Sequence, residues 1–321
     1  MITNWDELEG SRRDRDHIAA TWTRLSSSNS VTVGVNRVRI DPGMWSTPLH
    51  LEGSEEEIFY VLAGSGRSVQ SEGGGLEAYE VGPGDCLVHL ALEHAHTLQA
   101  GPDGLEVLVF GERHYAANTL LPNAGVSWLG PTWVLAGAEE DHPWTREAAA
   151  GPPQVDQISP RPPRIVNVGD VEAKARERGD VGCEWRDLGR AAGSERTGIK
   201  HITIAPGKLA APPHCHSAEE ELFVVLEGTG TVELSASPRG SEGYSTDPEH
   251  HRVRAGSTVA RHGRPRVAHA FRAEPEGLTL LAYGTREPND IAYYPRSNKV
   301  YLRGVGVVAR VEPLDYWDGE D

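Results

Sequence analysis

The chain repeats itself, and no other feature restricts its fold as strongly. The segment PLHLEGSEEEIFYVLAGSG, starting at Pro48, aligns without a gap with PPHCHSAEEELFVVLEGTG, starting at Pro212, 164 residues further on. His50 meets His214, Glu57 meets Glu221 and Gly64 meets Gly228. Upstream, Pro42-Gly43 meets Pro206-Gly207 at the same spacing. A second block, AHTLQAGPDGLEVLVFGER from Ala95, aligns with AHAFRAEPEGLTLLAYGTR from Ala268 at a spacing of 173 residues. It pairs His96 with His269 and Gly104 with Gly277. The difference between the spacings falls in or near the polar stretch Ser235 to His251, which reads as a loop insertion. One supersecondary plan is present twice. At roughly 150 residues per domain, 321 residues also suggest two domains. The expected division is 1–155 and 156–321. The connector Ala150 to Arg164 is rich in prolines, which lack an N–H donor and resist regular structure.

Within each repeat the signal is strand. Ile58 to Leu62 and Leu222 to Leu226 are short apolar runs rich in β-branched and aromatic residues, each closed by a glycine. Further strands are expected at Val31 to Ile40, Val107 to Phe110, Ile199 to Ile204, Thr231 to Leu234 and Leu278 to Tyr283. Gly-Pro-Gly-Asp at 82–85 and Ala-Gly-Ser at 255–257 read as turns. Helical periodicity is scarce: Glu172 to Arg178 is expected as one short helix and Thr145 to Ala150 as a further turn. Scattered among these elements are 36 Gly and 22 Pro, as many short strands joined by tight turns require. The fold class is all-β, a sandwich or small barrel present twice.

The chemistry concentrates in the aligned blocks. His214 and His216, two apart on a strand, project to the same face, while Cys215 projects to the other. Glu221 opens the next strand, and His269 arrives about fifty residues later. Imidazoles with one carboxylate suit a divalent first-row or borderline ion. A hydrogen-bonded polar cluster without an ion is the alternative. Burying a carboxylate unpaired is costly, and an ion removes that cost.

Pro206-Gly207, His214-Cys215-His216, Glu221 and Gly228 together resemble the first sequence motif of the cupins; Gly256, Pro265 and His269 resemble the second. The chain is similar to the bicupins over most of both halves. That resemblance implies two tandem jelly-roll barrels with a three-His, one-Glu metal site at His214, His216, Glu221 and His269. In the N-terminal half His50, Glu57 and His96 occupy the matching places, and Glu52 replaces the second motif histidine. Two histidines and one carboxylate can still hold an ion, with Glu52 adding an oxygen; a purely structural barrel is the other reading. Glu55 and Glu56 compete with Glu57, and Glu219 and Glu220 with Glu221, but spacing to the glycine favours Glu57 and Glu221. His94 competes with His96.

Weaker candidates lie near these sets. His89 and His262 coincide at the 173-residue spacing and are expected near the rim, where a proton donor meets substrate; a local hydrogen bond is the plainer reading. Arg261 and Arg266 can clamp a carboxylate. Trp22, Trp185 and the aromatic tail Tyr293-Tyr294 and Tyr316-Trp317 are expected to pack or to cap a barrel mouth.

The formal charge of -16 offers no basic footprint for nucleic acid or anionic lipid. Three cysteines, Cys86, Cys183 and Cys215, without zinc-type spacing suit a reducing compartment. With an acidic N-terminus and no membrane-length apolar run, a cytoplasmic protein is expected. The expected cofactor is a divalent ion (Fe, Mn, Ni or Zn), and the expected partner a small-molecule substrate. Bicupin resemblance adds a homodimer. The function these features favour is dioxygenase, decarboxylase or isomerase chemistry on a small organic acid, enol or phenol. Glu52 departs from the oxalate decarboxylase-like pattern and Glu221 from the gentisate dioxygenase-like one. A non-catalytic ion- or ligand-binding or storage protein is the competing class.

Overall fold

A computed structural model describes residues 2–26, 30–72, 74–114, 117–129, 132–133, 143–236, 247–261, 267–312, 314 and 316–320; the side chains of residues 72, 129, 132, 133 and 143 are excepted. Nearly all regular structure is strand. The chain divides into two compact units. The N-terminal unit comprises Trp5–Glu172 with Asp187–Ile199. The C-terminal unit comprises Met1–Asn4, Ala173–Arg186 and Lys200–Asp321.

This partition differs from the expected single cut near residue 155. Strand Ile165–Asn167 pairs antiparallel with Asp85–His89 of the N-terminal unit. Strand Ile2–Asn4 pairs in the matching way with Ser257–Arg261 of the C-terminal unit. Each repeat begins with a short strand that completes the sheet of the other half, so the compact units do not follow chain order.

Each unit has an eight-stranded sheet and a four-stranded sheet. In the N-terminal unit the long strand Glu57–Glu72 pairs with His96–Glu112, and in the C-terminal unit Glu221–Ala236 pairs with Val267–Thr285. These strands continue past the glycines expected to end them. Gly64 and Gly228, with φ of +83° and +80°, sit instead at register shifts inside the strands. A Cβ on either would lie 2.2 Å from a carbonyl oxygen, that of Gly104 or of Gly277. Only glycine satisfies both the positive φ and the close backbone approach.

Side-chain alternation then builds the interior. Phe59 and Val61 pack with Val38, Leu98, Leu105 and Val107 in one unit. Phe223 and Val225 pack with Ile204, Phe271, Leu278 and Leu280 in the other. Ile58 and Tyr60 on the opposite face are also buried, so the run reads as continuously apolar rather than alternating. Glu57 and Glu221 open these strands on the same face as the phenylalanines two residues later.

Two sequence expectations change. Lys174–Arg178 is not a helix but a fully exposed strand at the end of its sheet, paired on one side only, with Val181–Arg186. Its four charged side chains suit an edge that must not recruit another strand. The expected turn near Thr145 is a helix, Pro143–Ala149, which packs Trp144 and Ala148 against Ile18, Trp45, Val69 and Leu121. Most of the proposed insertion, residues 237–246, lies outside the described residues.

Candidate metal centre

The C-terminal barrel groups three of the four expected residues, with His216 reaching the group through Glu221. Donor atoms of His214, Glu221 and His269 lie within 4.8 Å of one another. Glu221 Oε2 is 3.1 Å from His269 Nε2 and 3.4 Å from His216 Nε2. Ligand–metal distances of about 2.0–2.2 Å place neighbouring donors of one ion roughly 3–3.5 Å apart. His216 Nε2, His269 Nε2 and Glu221 Oε2 are buried and make no hydrogen bond. Atoms this close but not aligned for hydrogen bonding converge on a shared point, so the set fits a divalent ion. Glu219 belongs to a neighbouring group with His216 and Asp290, and its carboxylate accepts from Glu287 N.

Backbone and carboxylate groups orient the imidazoles. His214 Nδ1–H donates to Pro212 O at 2.8 Å, turning Nε2 inward. His216 Nδ1–H donates to Asp290 Oδ2 at 2.6 Å. Asp290 is itself buried and held by Ala218 N, Glu219 N and Ser217 Oγ. Glu219 pairs with the Arg303 guanidinium. A carboxylate–histidine pair of this kind sets the tautomer of a ligand and raises its basicity. Sequence reasoning missed Asp290 and Arg303 and weighed Glu219 only as a rival of Glu221. Asp290 lies 74 residues from His216 in a segment that reads as a turn.

The metal-free electrostatics are those of a compact ion cluster. Burial lowers His214 to about 4, with the neighbouring His269 adding to the effect. Burial also lowers His269. For His216 burial is outweighed by Glu221 and Asp290, and its pKa rises to about 9. Burial disfavours charge on Glu221, but His216 and His269 overcome it and hold the carboxyl well below its usual range. One positive and one negative group thus face each other at the centre.

The N-terminal barrel assembles a related set. His50, Glu57 and His96 offer donors within 4.8 Å of one another. Glu57 Oε2 is 3.0 Å from His96 Nε2 and 3.5 Å from His50 Nε2, and Glu52 Oε1 is 3.8 Å from His50 Nε2. Glu52 also accepts from Thr119 Oγ1 at 2.9 Å. Burial would lower His50, but Glu57 and Glu52 raise it to about 9. Burial and the nearby Glu57 carboxylate raise Glu52 to about 8. Glu56 serves structure: fully buried, it accepts hydrogen bonds from Ser194, Glu195 and Thr197. Glu55 accepts from His114 N.

The remaining candidates fall differently. His89 is not at a rim: it is buried and stacked on His96 at 3.7 Å and 5°. Its Nδ1 is 2.9 Å from His94 Nε2, and donor atoms of His89, His94 and His96 lie within 4.8 Å of one another, a second histidine group that shares His96 with the set. His89 stands opposite Glu57, and Arg261 stands opposite Glu221, so the structural counterpart of His89 is Arg261. The coincidence of His89 with His262 was out of register by one residue. His262 and Arg266 lie outside the described residues. Arg261 donates through Nη2 to Val267 O, and its Nε is buried without a partner. Tyr294 stacks on His214 at 5.6 Å, whereas Tyr316 and Trp317 are exposed. Trp22 packs on the N-terminal core; Trp185 lines the C-terminal cavity.

Residues 200–280 match the family model described as the cupin domain. No curated protein sequence matches the chain significantly. Among solved structures it is similar to a point variant of the Bacillus subtilis oxalate decarboxylase, at 17% identity and a TM-score of 0.61, covering 90% of this chain and 78% of that one. It is also similar to the Lactobacillus farciminis oxalate decarboxylase in a formate complex, at 15% identity and a TM-score of 0.59, covering 89% and 86%. At these identities the likeness establishes the fold. Residues 200–280 belong to the cupin domain family, and the chain as a whole has an all-β fold of two tandem barrels.

Proposed function

We propose that the protein is a metal-dependent enzyme acting on a small organic acid or an enol or phenolic compound, at a mononuclear site formed by His214, His216, Glu221 and His269. The carrying observation is the trio of buried donor atoms, on His216, Glu221 and His269, that lie at ion-sharing distances without hydrogen bonds. The similar Bacillus subtilis oxalate decarboxylase has Mn(II) centres, which supports a divalent ion of that kind.

When bound, the ion supplies a Lewis acid that gathers and polarises substrate oxygens. The chain's own groups prepare that step. Pro212 O and Asp290 hold His214 and His216 with Nε2 presented inward. Glu221 stays ionised under the influence of His216 and His269. Arg261, opposite Glu221 in register, adds a fixed positive charge beside the set. Phe223 and Phe271 wall one side and limit water.

Elemental analysis of the purified protein and of Glu221→Gln tests the reading. Wild type should retain one ion per chain at this site, or two if the N-terminal set also loads, and the variant should lose one. Turnover in a panel of acids and phenols, followed by O₂ uptake and CO₂ release, should fall at least about a hundredfold in the variant. A wild type that retains no ion, or a variant with full ion content and full turnover, would sink the proposal.

A further inference from the structure

Beside the C-terminal ligand set lies a cavity of about 220 Å³, far larger than one or two waters require. His214, Glu221 and His269 form part of its lining. Trp185, Ile202, Phe223 and Phe271 supply apolar walls, and Arg176 and Lys200 supply the cations. Lys200 shares a strand face with Ile202, two residues away, so it belongs to the inner face at the strand's start. Arg176 lies 5.3 Å above the Trp185 ring. Both cations are exposed, and neither has an ion-pair partner among the described residues.

The N-terminal barrel keeps one of these two cations and covers it. Arg13, opposite Ala20 as Arg176 is opposite Cys183, is sandwiched between Trp22 at 4.7 Å and Trp144 at 4.9 Å. The residue matching Lys200 at the 164-residue spacing is Asn36. The arginine over a tryptophan is thus shared by both barrels, whereas the second cation, Lys200, and an arginine face left uncovered by a second tryptophan are particular to the C-terminal barrel.

We propose that this cavity selects a small carboxylate with an aromatic body. Its ring lies against Trp185, Phe223 and Phe271, and Arg176 and Lys200 balance its charge. Chelation at His214, Glu221 and His269 rests on the function proposed above; ring and charge selection do not require the ion. A two-carbon dianion would meet the cations but leave the aromatic walls wet. A neutral aromatic would fill the walls but leave the cations unanswered.

The test is calorimetric titration of the full chain, Mn(II)-loaded and metal-stripped, with benzoate, benzyl alcohol and oxalate. Benzoate should bind the stripped protein roughly tenfold more tightly than either comparator, and the doubly substituted Arg176→Met, Lys200→Met protein should lose that margin over benzyl alcohol. Equal or tighter binding of oxalate or benzyl alcohol to the metal-stripped wild-type chain would overturn the proposal. So would benzoate binding that survives the double substitution unchanged. The wild-type comparison decides even if the double variant fails to fold. Failure to load Mn(II) would count against the ion site alone, because selectivity is read in stripped protein.

Discussion

Phe59, Val61, Leu105 and Val107 of the N-terminal barrel stand where Phe223, Val225, Leu278 and Leu280 stand in the C-terminal barrel, yet position 52 is Glu where position 216 is His. The substitution does not come alone. Glu52 accepts from Thr119, whereas His216 donates to Asp290, and the residue matching Asp290 at the 173-residue spacing is Ala117. The pairing is physically coupled. Without its histidine the buried aspartate would lose its shortest charged contact, and the histidine without its aspartate would lose its fixed tautomer. Packing preserves the frame in both halves, whereas the donor set changes together with the groups that orient it.

The largest expected effect tests the shared frame. Gly228→Ala and Gly64→Ala each force a Cβ to within 2.2 Å of a carbonyl oxygen at positive φ. Each should destabilise its barrel by about 3 kcal/mol or more, read by chemical denaturation. If one is tolerated and the other is not, the two bulges are not equivalent and the comparison fails at its base.

Next comes the group that orients His216. Asp290→Asn should weaken ion binding at the C-terminal set by roughly 10–100-fold, measured by competition with a chelator. The reciprocal graft sharpens the point. Glu52→His alone should improve N-terminal ion affinity little, and Glu52→His with Ala117→Asp should improve it by about tenfold. Equal affinities for the single and double variants would show that the second carboxylate is dispensable.

What the sequence disclosed follows from where the constraints lie. His214, His216, Glu221 and His269 were legible because short motifs and a repeat put them at fixed spacings. Glu57 and Glu221 could be separated from their acidic neighbours because each stands seven residues before the motif glycine, Gly64 or Gly228. Asp290 was invisible: it reaches His216 only through the pairing of Cys215–His216 with Ile291–Tyr294. Arg261 was matched to the wrong partner because the spacing between halves grows in steps, 164 residues at Glu57, 172 at His89 and 173 at His96. A segment such as Lys174–Arg178 carries charges compatible with either helix or edge strand, and only its pairing with Val181–Arg186 decides.

The smallest expected effect concerns protons. In metal-free protein each barrel holds one imidazolium near a carboxylate, but on different residues: His50 in the N-terminal set and His216 in the C-terminal set, both raised to about 9. Burial opposes both, and it is the carboxylates, Glu57 and Glu52 for one and Glu221 and Asp290 for the other, that prevail. Because the folded pKa lies above the ordinary 6.5, the stabilisation is complete below pH 6.5 and is lost as pH rises through about 9. Stripped protein should therefore lose a few degrees of Tm between pH 6.5 and 9. Ion-loaded protein should lose less, since the ion requires neutral imidazoles and binds better as protons leave. Histidine NMR titration separates the barrels: His50→Gln should remove one of the two high-pH transitions and His216→Gln the other. If both transitions survive either substitution, the charge resides elsewhere and the assignment of one imidazolium to each barrel is wrong.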